Sequence, residues 1–283
     1  MQWGDLLLGE DTPFVGVQLT GWDDLPALDG GVSLRPTQHG GWPGPLYAQP
    51  RVLEWDFYLL PDFDAFPETL RTLRRATTIR QYEQPIVVQL AGTRLVMNGR
   101  VTRRSLPAST TYTKGEPEGT LVWECSDPRR YEVTEQSEWT GLPVAEPGLD
   151  WGAIPVGLEY PIDWGPTGSP GIAGAFNAGD AATYPTIEFR GPLLRPSLTQ
   201  LETGRVLEYD IPLGESDVLT VDCLSGKVTL NGVASRLYTA TPASHPEQSF
   251  ALESGTTSLV FRALPGFYDP LATVTVRWRS AYW

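Results

Sequence analysis

Lysine, histidine and cysteine are almost missing from this chain of 283 residues. It carries 21 basic side chains, of which only Lys114 and Lys227 are lysines, against 34 acids, giving a formal charge of −13. A shortage of positive charge on that scale argues against a protein whose main affinity is for nucleic-acid phosphates or anionic membranes. Cys125 and Cys223 are too few for a disulfide framework or a four-thiolate metal site, and both fall in alternating apolar patterns that predict buried free thiols in strands. His39 precedes Gly40-Gly41 and His245 precedes Pro246, so neither belongs to a helical metal pair. Long apolar runs are missing too, and no stretch approaches the roughly 18–20 residues of a membrane-spanning helix. The opening segment has no basic start and its apolar run Leu6-Leu7-Leu8 is too short for a secretory signal, which predicts folding in a cytoplasm without export by the general secretory route.

The motifs of common chemistries are absent as well. There is no Gly-x-Ser-x-Gly nucleophile elbow, no dinucleotide fingerprint and no zinc-binding thiolate pair, and Ser225-Gly226-Lys227-Val228 lacks both the glycine spacing and the following hydroxyl of a phosphate-cradling loop. Two carboxylates suffice for glycoside hydrolysis. Asp62 and Asp64, however, adjoin an expected helix start, and Glu188 and Asp222 alternate outward on expected strands. The sequence therefore predicts no catalytic residue, no metal and no cofactor.

Glycine (29) and proline (26) are abundant, with 10 Trp, 11 Tyr and 9 Phe in a chain that is 41% hydrophobic. That composition is too apolar for disorder and points to many turns between short strands. At about 150 residues per domain, the length suggests two domains. Alternation with period two dominates: Leu53, Trp55, Phe57 and Leu59; Leu121, Trp123 and Cys125; Ile187 and Phe189; Leu219, Val221 and Cys223; Val274, Val276 and Trp278. Leu224-Ser225-Gly226 and Asn231-Gly232 read as tight turns of an antiparallel meander, and Ala91-Gly92 and Asn98-Gly99 as turn residues within the strand-like run from Ile86 to Leu106. One helix is expected over about 66–78: Phe66, Leu70, Leu73 and Thr77 recur at helical spacing, Pro67 suits a first turn, and Glu68 and Arg74-Arg75 complement the dipole. The fold class is mainly β. The expected division is 1–140, a Pro/Gly-rich linker 141–170, and 171–283.

Charge is unevenly spread. Residues 1–70 hold eleven acids against Arg35 and Arg51, whereas residues 71–104 hold eight arginines against Glu83, so a −9 block precedes a +7 block. The two blocks either pair within one domain or are simply solvated, or they lie on acidic and basic faces that meet between neighbouring subunits of a head-to-tail ring. On the last reading Arg71, Arg74, Arg75, Arg100, Arg103 and Arg104 are the candidate subunit interface. Aromatic rings beside glycines invite a sugar-stacking reading, for which Trp151, Trp164, Tyr184 and Tyr268 are candidates. The alternative for each is a core or protein-interface anchor.

Several stretches taken in order resemble the distal tail protein family of long-tailed (siphovirus) bacteriophages. In the first half these are Asp29-Gly30-Gly31, His39-Gly40-Gly41-Trp42-Pro43-Gly44, the strand opening at Arg51 with its following helix, and Ser126-Asp127-Pro128-Arg129-Arg130-Tyr131. In the second half the resemblance continues through Gly179 to Pro192, Gly226-Lys227-Val228-Thr229-Leu230-Asn231-Gly232, Phe250-x-Leu252-x-x-Gly255 and the aromatic-rich Thr273 to Trp283. It implies an N-terminal ring-forming domain and a C-terminal galectin-like antiparallel β-sandwich, with the last strand able to pack on the first domain. It further implies a non-enzymatic virion protein of the tail tip. Six copies would form a ring joining the tail tube protein to the baseplate hub or tail fibre protein around a channel for DNA. Host cell-wall glycan is a further partner, while specific nucleic-acid binding and membrane insertion are not expected. The alternative is a lectin-like carbohydrate-binding module, and a third reading is an accessory domain of a glycoside hydrolase.

Overall fold

A computed structural model describes residues 1–146 and 167–283. The chain divides into two units, Met1–Val133 with Tyr282–Trp283, and Thr134–Ala281. The first boundary therefore precedes the expected 1–140 limit, because Gln136–Gly141 is hydrogen-bonded along Thr273–Trp278 and belongs to the sheet of the second unit. The last two residues, Tyr282–Trp283, belong to the first unit. Among the described residues no helix is long and apolar enough to cross a membrane.

In the first unit an antiparallel sheet runs in the order Leu6–Leu7, Gln2–Trp3, Gln84–Leu90, Thr93–Ser105, Glu118–Cys125, Arg51–Leu59 and Phe14–Thr20. The alternation read from the sequence selects its inner face: Leu53, Trp55, Phe57, Leu59, Leu121, Trp123 and Cys125 are all buried in one core. The helix Phe66–Ala76 lays Leu70 and Leu73 inward and ends where the Thr77 N–H and Oγ1 both bond the Leu73 carbonyl. Trp3 Nε1 donates to Ala76 O at 3.1 Å, tying the helix end to the first strand.

The two expected turns in the run from Ile86 to Leu106 have different fates. Ala91 (φ 48°) and Gly92 (φ 80°) form the two-residue hairpin between Gln84–Leu90 and Thr93–Ser105, both in the left-handed region that such a turn requires. Asn98-Gly99 is no turn but the middle of the strand Thr93–Ser105, which pairs with Gln84–Leu90 and Arg130–Glu132 in its first half and with Glu118–Cys125 in its second. Glycine is needed there for close approach: a Cβ on Gly99 would lie 2.7 Å from Cys125 Sγ.

In the second unit the six-stranded sheet Gln136–Gly141, Thr273–Trp278, Thr186–Arg190, Val218–Asp222, Lys227–Leu230, Ala234–Ser235 accompanies a four-stranded sheet Ile172–Asn177, Gly255–Arg262, Ser197–Gln200, Val206–Glu208. Inward side chains of both, among them Phe189, Val221 and Val276 from the first and Leu198, Leu207 and Phe261 from the second, share one core, which makes the unit an antiparallel sandwich. The expected meander is present as the hairpins joining Val218–Asp222, Lys227–Leu230 and Ala234–Ser235, with Gly226, Asn231 and Gly232 at positive φ.

One buried polar residue closes the sandwich edge. Asn177, 1% exposed, donates through Nδ2 to Ala181 O (2.8 Å) and Leu252 O (3.2 Å), and its Oδ1 accepts from the N–H groups of Gly179 (3.1 Å) and Ala281 (3.2 Å). Its full bonding capacity is thereby used. At Gly179 a Cβ would overlap the Ala281 carbonyl, so only glycine fits this crossing.

Candidate functional site

No group of His, Cys, Asp or Glu among the described residues has the arrangement of a metal site. Both cysteines are free and buried, as expected. Burial raises the Cys125 thiol to about 12, helped by the Glu83 carboxylate, and raises Cys223 as well. His245 serves a turn, its Nδ1 accepting the Val206 N–H at 3.1 Å. Of the four carboxylates considered for catalysis, Glu188 and Asp222 are held in structural bonds. Glu188 pairs with Arg277 (2.6 Å) and Arg190 (3.2 Å). Asp222 accepts from the N–H groups of Leu224 and Ser225 and from the Ser225 hydroxyl, fixing the hairpin turn.

The six candidate interface arginines lie on two elements of the first unit, and most of them are bonded within it. Arg71 pairs with Glu68 one helical turn away, and Arg74 Nη2 donates to the Tyr112 hydroxyl at 3.4 Å. Arg100 pairs with Glu124 (3.2 Å) and Arg103 with Glu54 (2.7 Å), across neighbouring strands. Arg104 Nη1 donates to Thr77 Oγ1 at 2.7 Å and to the Arg74 carbonyl at 3.2 Å, where a cation meets the negative end of the helix. Arg75 lines a cleft of about 320 Å³ with Trp3, Asp5, Thr72, Arg80 and Gln84. Two ion pairs, Glu68–Arg71 and Glu54–Arg103, thus join the acidic and basic blocks within one fold.

Around them, Arg51 opens its strand as a buried anchor, 2% exposed. Its Nη1 donates to the carbonyls of Gly21 (3.0 Å), Trp22 (2.8 Å) and Asp24 (2.8 Å), and its Nε to Pro128 O (2.8 Å). The Asp-Pro-Arg-Arg-Tyr segment is internally locked as well. Asp127 accepts Arg129 Nε (2.8 Å) and Nη2 (3.0 Å) and the Tyr131 hydroxyl (2.7 Å).

Sequence reasoning missed the most conspicuous surface. Between the strand Phe14–Thr20 and the strand Arg51–Leu59 the chain leaves the sheet as a two-part ribbon, Leu28–Gly30 against Leu46–Ala48 and Ser33–Leu34 against Gly41–Trp42. It exposes Val32 (61%), Leu34 (81%), Trp42 (54%) and Leu46 (68%). At its base Leu25, Pro26, Leu28, Leu46, Ala48 and Trp283 line an apolar hollow of about 190 Å³. Isolated exposed apolar residues are ordinary, but a run of them on one ribbon marks an interaction surface. The available signal was the lack of acidic or basic residues between Gly30 and Tyr47 apart from Arg35, in a stretch that keeps Leu, Val and Trp.

Of the four aromatic candidates, two fall among the described residues. Trp151 and Trp164 lie outside the described residues. Tyr184 is half-buried against the sandwich core, whereas Tyr268 is 53% exposed.

The family model described as siphovirus-type tail component, C-terminal domain, matches residues 178–282. The crystal structure of phage SPP1 Dit, described as a paradigm of the hub adsorption apparatus of phages infecting Gram-positive bacteria, has a similar fold over 95% of this chain and 94% of its own, with a TM-score of 0.64 and 14% identity. A chain of the phage P2 baseplate, in its activated conformation with calcium, is similar over 94% and 91% respectively, with a TM-score of 0.50 and 9% identity. No curated protein sequence matches the chain. Residues 178–282 match the siphovirus-type tail component model, which bears out in that segment the resemblance to siphovirus distal tail proteins drawn from the sequence, and over both units the chain shares the fold of SPP1 Dit.

Proposed function

We propose that the protein is a structural, non-enzymatic component of a siphovirus tail tip, located in the virion. Six first units join as a ring that connects the tail tube protein to the baseplate hub or tail fibre protein and leaves a channel for DNA, while the second units are displayed for contact with other tip proteins. The observation that carries this reading is the apolar ribbon of the first unit: Val32, Leu34, Trp42 and Leu46 are exposed, a state that a second copy of the chain relieves by covering them. A heterologous contact of this kind, repeated around an axis, closes into a ring. The net charge of −13 suits a channel that must release DNA rather than hold it.

Electron microscopy and mass photometry of the purified full chain test the reading. Rings with a central hole and a mass six times 31.1 kDa are expected. Uniform monomers at tens of micromolar protein, with or without the tube protein, would sink it.

A further inference from the structure

The second unit contains a polar cleft for which the tail-tip role supplies no occupant. Its volume is about 290 Å³, and Arg195, Asp210, Tyr238, Thr239 and Thr241 line it. That is close to the lower end of the roughly 300–1,000 Å³ of small-molecule sites, a size for a short polar ligand.

Three observations set Arg195 apart from a residue placed for stability. Its backbone is in the left-handed region, φ 51°, which a long non-glycine side chain seldom adopts. Its Nε is buried without a hydrogen-bond partner, which is rare for a buried polar atom. Its guanidinium is nevertheless held firmly, because Nη2 pairs at 3.1 Å with Glu208 Oε1, which also accepts the Thr241 hydroxyl at 2.8 Å. Features that cost stability and are still held by their surroundings concentrate at functional sites.

Beside this group, the single-turn segment Leu237–Thr239 presents Tyr238 with 78% of its surface exposed, and the exposed Asp210, whose N–H bonds the Thr239 carbonyl at 2.7 Å, lines the same cleft. An exposed ring face next to a planar donor and a carboxylate acceptor matches a sugar: the C–H face of a pyranose stacks on the ring, and its hydroxyls bond the charged groups. Charge narrows the class. Glu208 neutralises Arg195, which leaves the Asp210 carboxylate as the uncompensated charge and disfavours acidic sugars.

We propose that this cleft binds a neutral hexose or N-acetylhexosamine residue of a polysaccharide, with Tyr238 stacking on the ring and Asp210 and Arg195 bonding its hydroxyls. The site is separate from Tyr184 and Tyr268 and does not depend on the ring, so a monomeric chain tests it equally well.

Saturation-transfer NMR of the full chain with glucose, galactose, N-acetylglucosamine and N-acetylgalactosamine, and with glucuronic acid as the charged control, is decisive. Transfer to at least one neutral sugar is expected, with less to glucuronate. Affinity should fall at least tenfold in Tyr238→Ala and in Asp210→Asn and be retained in Tyr238→Phe, while the thermal midpoints of all three match the parent. Absence of transfer to every neutral sugar, or binding that Tyr238→Ala and Asp210→Asn leave unchanged, overturns the proposal.

Discussion

Asn177 shows how much a single side chain carries when it is buried among backbone groups. Four backbone partners, at Gly179, Ala181, Leu252 and Ala281, depend on it, and each loses a bond if it is truncated. Asn177→Ala is expected to lower the unfolding free energy by about 2–4 kcal/mol, read from urea denaturation, because buried polar groups left without partners cost about 1–3 kcal/mol each and water recovers part of that. Gly179→Ala should be at least as damaging, since its Cβ meets the Ala281 carbonyl, which accepts the Ala181 N–H at 3.0 Å. The thiols allow a pH prediction. Burial keeps Cys125 neutral up to about 12 from an ordinary 9.0, and Cys223 is shifted the same way. In the unfolded chain both ionise near 9, so the unfolded state loses protons that the folded state keeps. Their contribution is fully present below about pH 9 and is lost as pH climbs toward 12, at about 1.4 kcal/mol per pH unit for each group. Denaturation midpoints measured between pH 8 and 11 should therefore fall, and less steeply in Cys125→Ala once its own baseline is subtracted. Native protein should also react slowly with a thiol reagent at pH 8; fast labelling of both cysteines would contradict their burial.

At the scale of elements, the strand Thr93–Ser105 and the ribbon of residues 28–48 behave differently from what local sequence suggests. Asn-Gly is a strong turn signal, yet Asn98-Gly99 stays extended because the strand is shared among three partners and the missing side chain admits Cys125. Gly99→Val should destabilise the first unit by about 1–3 kcal/mol through overpacking, measured by chemical denaturation. The ribbon has the opposite character: it carries apolar residues where nothing in its own unit covers them. Leu34→Asp combined with Trp42→Asp is expected to leave the monomer's melting temperature nearly unchanged while reducing assembly, read as a loss of high-mass species in mass photometry. Because the exposed pairs Arg103–Glu54 and Arg100–Glu124 are internal and such pairs contribute about 0–1 kcal/mol, assembly should depend on ribbon substitutions far more than on salt or on reversal of Arg103. Dissociation in molar salt with no response to the ribbon variant would instead favour the charge-block reading.

At the scale of the whole molecule, period-two alternation made the chain legible as a mainly β protein, and its sequence holds none of the common catalytic motifs. Strand faces could be read because side chains alternate with period two, so one buried face imprints itself on the sequence. Leu53, Trp55, Phe57 and Leu59, and Ile187 and Phe189, all lie in the cores that their spacing required. The helix was legible for the corresponding reason at a period of 3.6. Pairing was not, because strand partners far apart in sequence leave no local trace. Only the tertiary structure decided that Gln136–Gly141 joins Thr273–Trp278, that Tyr282–Trp283 belongs with the first unit, and that Glu54 neutralises Arg103. Only the tertiary structure brought Arg195, Glu208, Asp210 and Tyr238 to one cleft. The sequence by itself determined which residues face inward, since burial is a one-residue property repeated at a fixed period. Which inward and outward faces meet is a property of pairs, and it is set by packing between segments that local spacing does not encode.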